Sequence, residues 1–194
     1  MQRAEIVDAV IAERDDATVV VSPGASSGLV YSKDQHPATI YSMTLGYTTA
    51  FAYGIALAHP ERRVITLEGD GSMFAGIQVL GTLARYPVAN LTIIVVANGI
   101  WGTGDGNVAT TPGTAAQLAE IARGCGLDEE HVFVATEAPT LRAILARTKS
   151  ETGPWIVCAV TERSSGDKSG AHVRVPLDAI EDIDLTRRYL RDRS

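Results

Sequence analysis

The chain reads as an α/β protein: a parallel sheet in three layers, with helices on both faces. Two observations carry this. From Val64 onward, near-continuous apolar runs alternate with amphipathic stretches, giving strand, helix, strand, helix, strand, helix, strand. The runs lack the polar alternation of a half-exposed sheet, as expected when both faces are covered. A third observation bears on function. Two of the runs end in oxygen donors, at Asp70 and Asn98, 28 positions apart.

Ala4 to Arg14 predicts an amphipathic helix with Ile6, Val7, Val10 and Ile11 on one face, and Thr18 to Val21 a β-branched strand. Ser22 to Gly28 is rich in small and hydroxyl residues and reads as a loop; Tyr31 to Thr39 is polar and reads as irregular. Ile40 to Met43 suggests a short strand. Gly46 to Ala58 predicts a helix of small residues, able to approach a neighbouring backbone or a cofactor closely. Strands are expected at Val64–Leu67, Leu91–Ala97, His131–Ala135 and Trp155–Val160, and helices at Met73–Ala84, Thr114–Arg123 and Ala138–Lys149. Thr114 and Gln117 form a capping-box pattern, with Gly124 as the residue beyond the helix end. Ser164 to Ala171 reads as a polar linker and Leu177 to Arg191 as a terminal helix, so residues 164–194 form a helical tail on one domain spanning 1–194.

A length of 194 residues suffices for one domain with a full core. The net charge of −6 disfavours nucleic acid and anionic membrane as partners. No apolar run approaches the roughly 18 residues of a membrane span, and the charged N-terminus does not resemble a signal peptide. Cys125 and Cys158 form no metal-type cluster and read as reduced thiols, which points to the cytoplasm.

In a parallel sheet, Asp70 and Asn98 lie at the same edge, where open α/β sheets bind ligands. Asp-Gly alone is a turn signal. Here, however, a helix follows it rather than a second hairpin strand. Magnesium takes oxygen ligands, commonly one or two carboxylates with phosphate oxygens. Asp70, the Asn98 amide oxygen and the main-chain carbonyl of Ile100 could supply the protein's share. Gly69 and Gly71 would let the backbone approach a diphosphate, and Ser72 with the first helix amides could donate to it.

Gly69-Asp70-Gly71-Ser72 with Asn98-Gly99 resembles the cofactor motif of the thiamine-diphosphate-dependent enzymes. The resemblance implies the thiamin diphosphate-binding fold and a pyrophosphate-binding domain, with Asp70, Asn98 and Ile100 binding Mg2+. Leu45, before Gly46, falls where the family has the apolar wedge that bends the cofactor into a V. Ser26 and Ser27 fall where it often has hydroxyls near the diphosphate. Arg62-Arg63-Val64, Trp101-Gly102-Thr103-Gly104 and Arg174-Val175-Pro176-Leu177 are similar to the phosphonopyruvate and sulfopyruvate decarboxylases. That places Trp101 and Gly102 at the cofactor, in a glycine- and threonine-rich loop reaching Pro112. There are two departures: Met43 stands where those enzymes tend to have Gly near the aminopyrimidine, and Asp105-Gly106-Asn107 replaces an expected Asn-Gln. Both bear on the substrate.

The family's activating glutamate comes from a pyrimidine-binding domain, for which this chain has no room. The resemblance therefore implies the β subunit of a split 2-oxo acid decarboxylase. An α subunit would carry the glutamate, in an α2β2 or larger assembly. A carboligase of the acetolactate synthase type and an oxidative 2-oxo acid enzyme are the alternatives. Gly102-x-Gly104-x-Gly106 is a poor dinucleotide fingerprint, so a nicotinamide oxidoreductase is a weaker reading, beside a non-catalytic binding protein. His36, His59, His131 and His172 read as surface or loop residues. Lys33 is a candidate for an anionic substrate.

Overall fold

The computed structural model describes residues 1–41, 44–101, 107–108, 114–162 and 175–192. Helix α1 (Arg3–Glu13) leads to strand β1 (Thr18–Val21), helix α2 (Ala25–Lys33), strand β2 (Thr39–Ile40) and helix α3 (Thr48–Ala58). Strand β3 (Val64–Gly69) runs straight into the short helices α4 (Asp70–Ala75) and α5 (Val79–Arg85). Strand β4 (Leu91–Ala97) precedes the two-residue strands β5 (Ile100–Trp101) and β6 (Asn107–Val108). Helix α6 (Thr114–Gly124), a 3-10 turn (Glu129–His131), β7 (Val132–Ala135), α7 (Ala138–Arg147), β8 (Trp155–Val160) and α8 (Ala179–Arg191) complete the order.

Among the described residues, six strands form one parallel sheet in the order β2–β1–β3–β4–β8–β7, and β5 pairs antiparallel with β6 apart from it. Successive strand residues face opposite layers. Ile93, Val95, Ile156 and Cys158 pack under α3, α5 and α6, whereas Ile94, Val96, Val157 and Ala159 pack under α1, α2 and α7. The predicted three-layer parallel fold is the observed one.

Several boundaries differ from expectation, those of α2, α3 and α4 for tertiary reasons. Ser22–Gly28 is not all loop: α2 begins at Ala25, with Ser26 and Ser27 in its first turn, and continues through Tyr31 because Leu29 and Val30 bury against the sheet. The expected helix Met73–Ala84 is two helices, broken after Ala75. A Cβ on Gly76 would lie 1.9 Å from the Gly46 carbonyl oxygen, so two backbones meet there. Gly46 itself has φ +82°, a left-handed conformation that delays α3 to Thr48. The residue past α6 with positive φ is Gly126, not Gly124, and the Leu127 N–H bonds the Ala122 carbonyl as in a Schellman ending. β2 covers Thr39–Ile40 only, and β7 begins at Val132. The Thr114 side chain and the 164–171 linker lie outside the described residues.

The terminal helix seals the β2 edge. Asp182 Oδ2 accepts the Tyr41 N–H at 2.6 Å, and the Thr186 hydroxyl donates to the Pro37 carbonyl at 3.0 Å. This gives a partner to main-chain groups that an edge strand otherwise exposes.

Candidate functional site

Because the strands are parallel, β3 and β4 deliver their last residues to one edge, with Gly69 beside Val96 in register. Asp70 is buried and Asn98 half-buried there. The Gly99 N–H donates to Asp70 Oδ2 at 2.7 Å, and the Gly71 N–H to Oδ1 at 2.9 Å. Asn98 Oδ1 accepts the Ile100 N–H at 2.9 Å, which holds the turn beyond β4. The structure thus brings Asp70, Asn98 and Ile100 together across two neighbouring strand ends.

Burial pushes the Asp70 carboxyl above its ordinary pKa. The N–H bonds from Gly99 and Gly71 and the positive charge of Arg3 partly offset this. A buried carboxylate held only by N–H groups is a favourable oxygen donor for a cation. Among the described residues no three of His, Cys, Asp and Glu gather around one point. A site made here would therefore draw on Asp70, the Asn98 amide, a main-chain carbonyl and the ligand's own oxygens.

Gly69 has φ −76° and ψ 151°, open to any residue, and an added Cβ would meet nothing within 4 Å. Neither backbone conformation nor internal packing calls for a glycine there. What its missing side chain leaves is room at the sheet edge, which fits the close approach of a diphosphate. Its N–H donates to Ser22 Oγ at 3.3 Å, so the end of β1 also braces this turn. On Gly71 a Cβ would lie 3.0 Å from the Trp101 ring, which therefore rests on the turn.

Leu45 is partly exposed, immediately before the left-handed Gly46. Ser72 is buried. Its hydroxyl donates to Glu68 and accepts the Gly46 N–H, so what it offers a diphosphate is its main chain. Ser26 and Ser27 are buried in α2, and the Ser27 hydroxyl donates to the Gly24 carbonyl. Met43 and Gly102 lie outside the described residues. Lys33 pairs with Asp8 at the end of α2 remote from the Asp70 edge, so it is not a substrate ligand at this edge. His36 Nδ1 accepts the Ala38 N–H at 3.0 Å and its ring packs on Tyr189, a structural role. The sequence alone assigns no role to Ser22, Gly76 or Glu68. A charged residue closing an otherwise apolar run, Val64 to Leu67, was the available signal for the last.

Residues 26–159 match the family model described as "Thiamine pyrophosphate enzyme, C-terminal TPP binding domain", and the chain belongs to this family. Within it, the chain is 30% identical over 129 residues to the sulfopyruvate decarboxylase subunit beta of Methanocaldococcus jannaschii, covering 66% of this chain and 68% of that one. It is also 30% identical over 156 residues to the phosphonopyruvate decarboxylase of Streptomyces viridochromogenes, covering 80% of this chain but only 38% of the relative. The Rhodococcus jostii thiamine diphosphate-dependent 4-hydroxybenzoylformate decarboxylase shares the fold, with a TM-score of 0.71 at 22% identity over 86% of this chain and 33% of that one.

Proposed function

We propose that this chain is the cofactor-clamping β subunit of a split thiamine-diphosphate-dependent 2-oxo acid decarboxylase of the sulfopyruvate or phosphonopyruvate type. The observation that carries the reading is the convergence of Asp70, Asn98 and Ile100 at the ends of β3 and β4, beside the open space at Gly69. Family membership supports thiamine diphosphate as the ligand. The "subunit beta" in the names of similar proteins supports a partner.

In this reading Asp70 Oδ and Asn98 Oδ1 hold Mg2+ together with the Ile100 carbonyl. Gly69 and Gly71 would admit the diphosphate, and Leu45 would be the apolar wedge against the cofactor. Trp101, resting on Gly71, completes the wall. Bound thiamine diphosphate supplies the electron sink for loss of CO2 from a 2-oxo acid. The chain's own residues bind, orient and exclude water. The activating glutamate comes from a pyrimidine-binding α subunit, in an α2β2 or larger assembly. Cytoplasmic placement belongs to the same proposal; among the described residues no helix is long and apolar enough to cross a membrane. The purified chain should show negligible decarboxylation of sulfopyruvate or phosphonopyruvate until the α subunit is added. Full-rate turnover by the chain alone would refute the split. Formation of an acyloin instead of an aldehyde would favour the carboligase alternative.

A further inference from the structure

Between the Asp70 turn and the Leu45 segment lies a buried hydrogen-bond relay centred on Glu68. Its side chain is 1% exposed, one residue before the end of β3, on the face covered by α3. Oε1 accepts the Ser72 hydroxyl at 2.7 Å, and Ser72 Oγ accepts the Gly46 N–H at 2.8 Å. Oε2 accepts the Thr49 N–H at 3.2 Å and, in a short bond, the Thr49 hydroxyl. One carboxylate therefore joins four segments: the end of β3, the first turn of α4, the turn before α3, and the first turn of α3.

An apolar residue would be the ordinary occupant of this position, since a buried carboxylate is costly unless fully hydrogen-bonded. What the carboxylate adds is geometry. As a carboxylate it only accepts: Ser72 and Thr49 supply its hydrogen bonds, with the Thr48 side chain also against it, and such a satisfied network specifies one arrangement of its parts. The backbone contact of Gly46 with Gly76 sets how close the two segments come. The relay sets how they are turned.

We propose that Glu68 is a positioning residue that, through Ser72 and Thr49, locks Leu45–Gly46 against the Asp70 turn. Diphosphate clamp and cofactor wedge are then presented as one rigid unit. The proposal rests on reading Asp70 as the clamp and Leu45 as the wedge. Glu68 acts from beneath the sheet edge, through its neighbours.

The test compares two ligands on the full chain by titration calorimetry with Mg2+. Inorganic pyrophosphate needs only the clamp, whereas thiamine diphosphate needs clamp and wedge. The wild type should bind both, thiamine diphosphate more tightly. Glu68→Gln preserves volume, but its amide places a donor against Ser72 or Thr49. It should weaken thiamine diphosphate by about tenfold, the size of one disrupted buried hydrogen bond, and leave pyrophosphate within about twofold. Ser72→Ala, which removes the middle link and keeps Glu68, should give the same split. In both variants amide hydrogen exchange at Gly46 should quicken by about tenfold. If Glu68→Gln fails to fold, Ser72→Ala decides. Unchanged thiamine diphosphate affinity in a folded variant, or equal loss of both ligands, overturns the relay alone. Failure of the wild type to bind either ligand overturns the clamp reading and the relay with it.

Discussion

The two sides of the candidate site are built differently. On the floor, β3, α4 and the start of α3 meet through a Gly46–Gly76 backbone contact and a buried carboxylate that accepts from two hydroxyls and a main-chain N–H. Beside it, β5 and β6 pair over two residues each, and the Trp101 ring lies on Gly71. The floor is made of backbone and buried polar bonds, which deform little. Among the described residues of the cover, it is the Trp101 side chain that reaches from β5 onto α4, and a side chain can shift at small cost. Geometry that must be held is thus assigned to the sheet edge, and the cover contributes contact.

This contrast can be broken most visibly at Gly76. Gly76→Ala drives a methyl into the Gly46 carbonyl, and no rotamer relieves a backbone clash. We expect about 3 kcal/mol of lost stability by urea unfolding, the upper end for overpacking. Thr49→Val deletes the hydroxyl bond to Glu68 while keeping the N–H bond, and should cost about 2 kcal/mol in the same assay. Beneath the floor, burial pushes the Cys158 thiol up to about 12, with the Asp70 charge adding to the rise. The unfolded thiol ionises from about pH 8.5. Between that pH and 12 the folded chain holds the extra proton, so stability falls as pH rises. Cys158 contributes up to about 1.4 kcal/mol per pH unit to that fall. Urea midpoints measured across this window should slope less steeply in Cys158→Ala. The smallest effect belongs to the cover. Gly71→Ala requires the Trp101 ring to yield a few tenths of an ångström, costing under about 1 kcal/mol. It should shift Trp101 fluorescence, read in a Trp155→Phe background.

The parts legible in the sequence are those set by local pattern. β4 and β8 fall where Leu91–Ala97 and Trp155–Val160 predict them, because a short β-branched, almost wholly apolar run suits a strand covered on both faces. Asp70 and Asn98 were legible because strand ends in such a sheet share an edge. The break at Gly76 was not, since its cause is a carbonyl 30 residues earlier in the chain. Ser26, Ser27 and Gly28 are turn-prone in isolation, which makes Ser22–Gly28 read as a loop, whereas Leu29 and Val30 gain more by burial against β1 and extend a helix over Ala25–Lys33. Glu68 stood beside the motif, but its purpose depends on Thr49 and Ser72 converging on it, which only the fold supplies.

The central claim, that the β3 and β4 ends clamp a magnesium diphosphate, is tested most directly by Mg2+-dependent binding of thiamine diphosphate to the wild-type chain and to Asp70→Ala. Titration calorimetry should show binding that requires Mg2+ in the wild type and is lost in Asp70→Ala, whose thermal unfolding remains cooperative. Equal affinity in the two proteins would contradict the account.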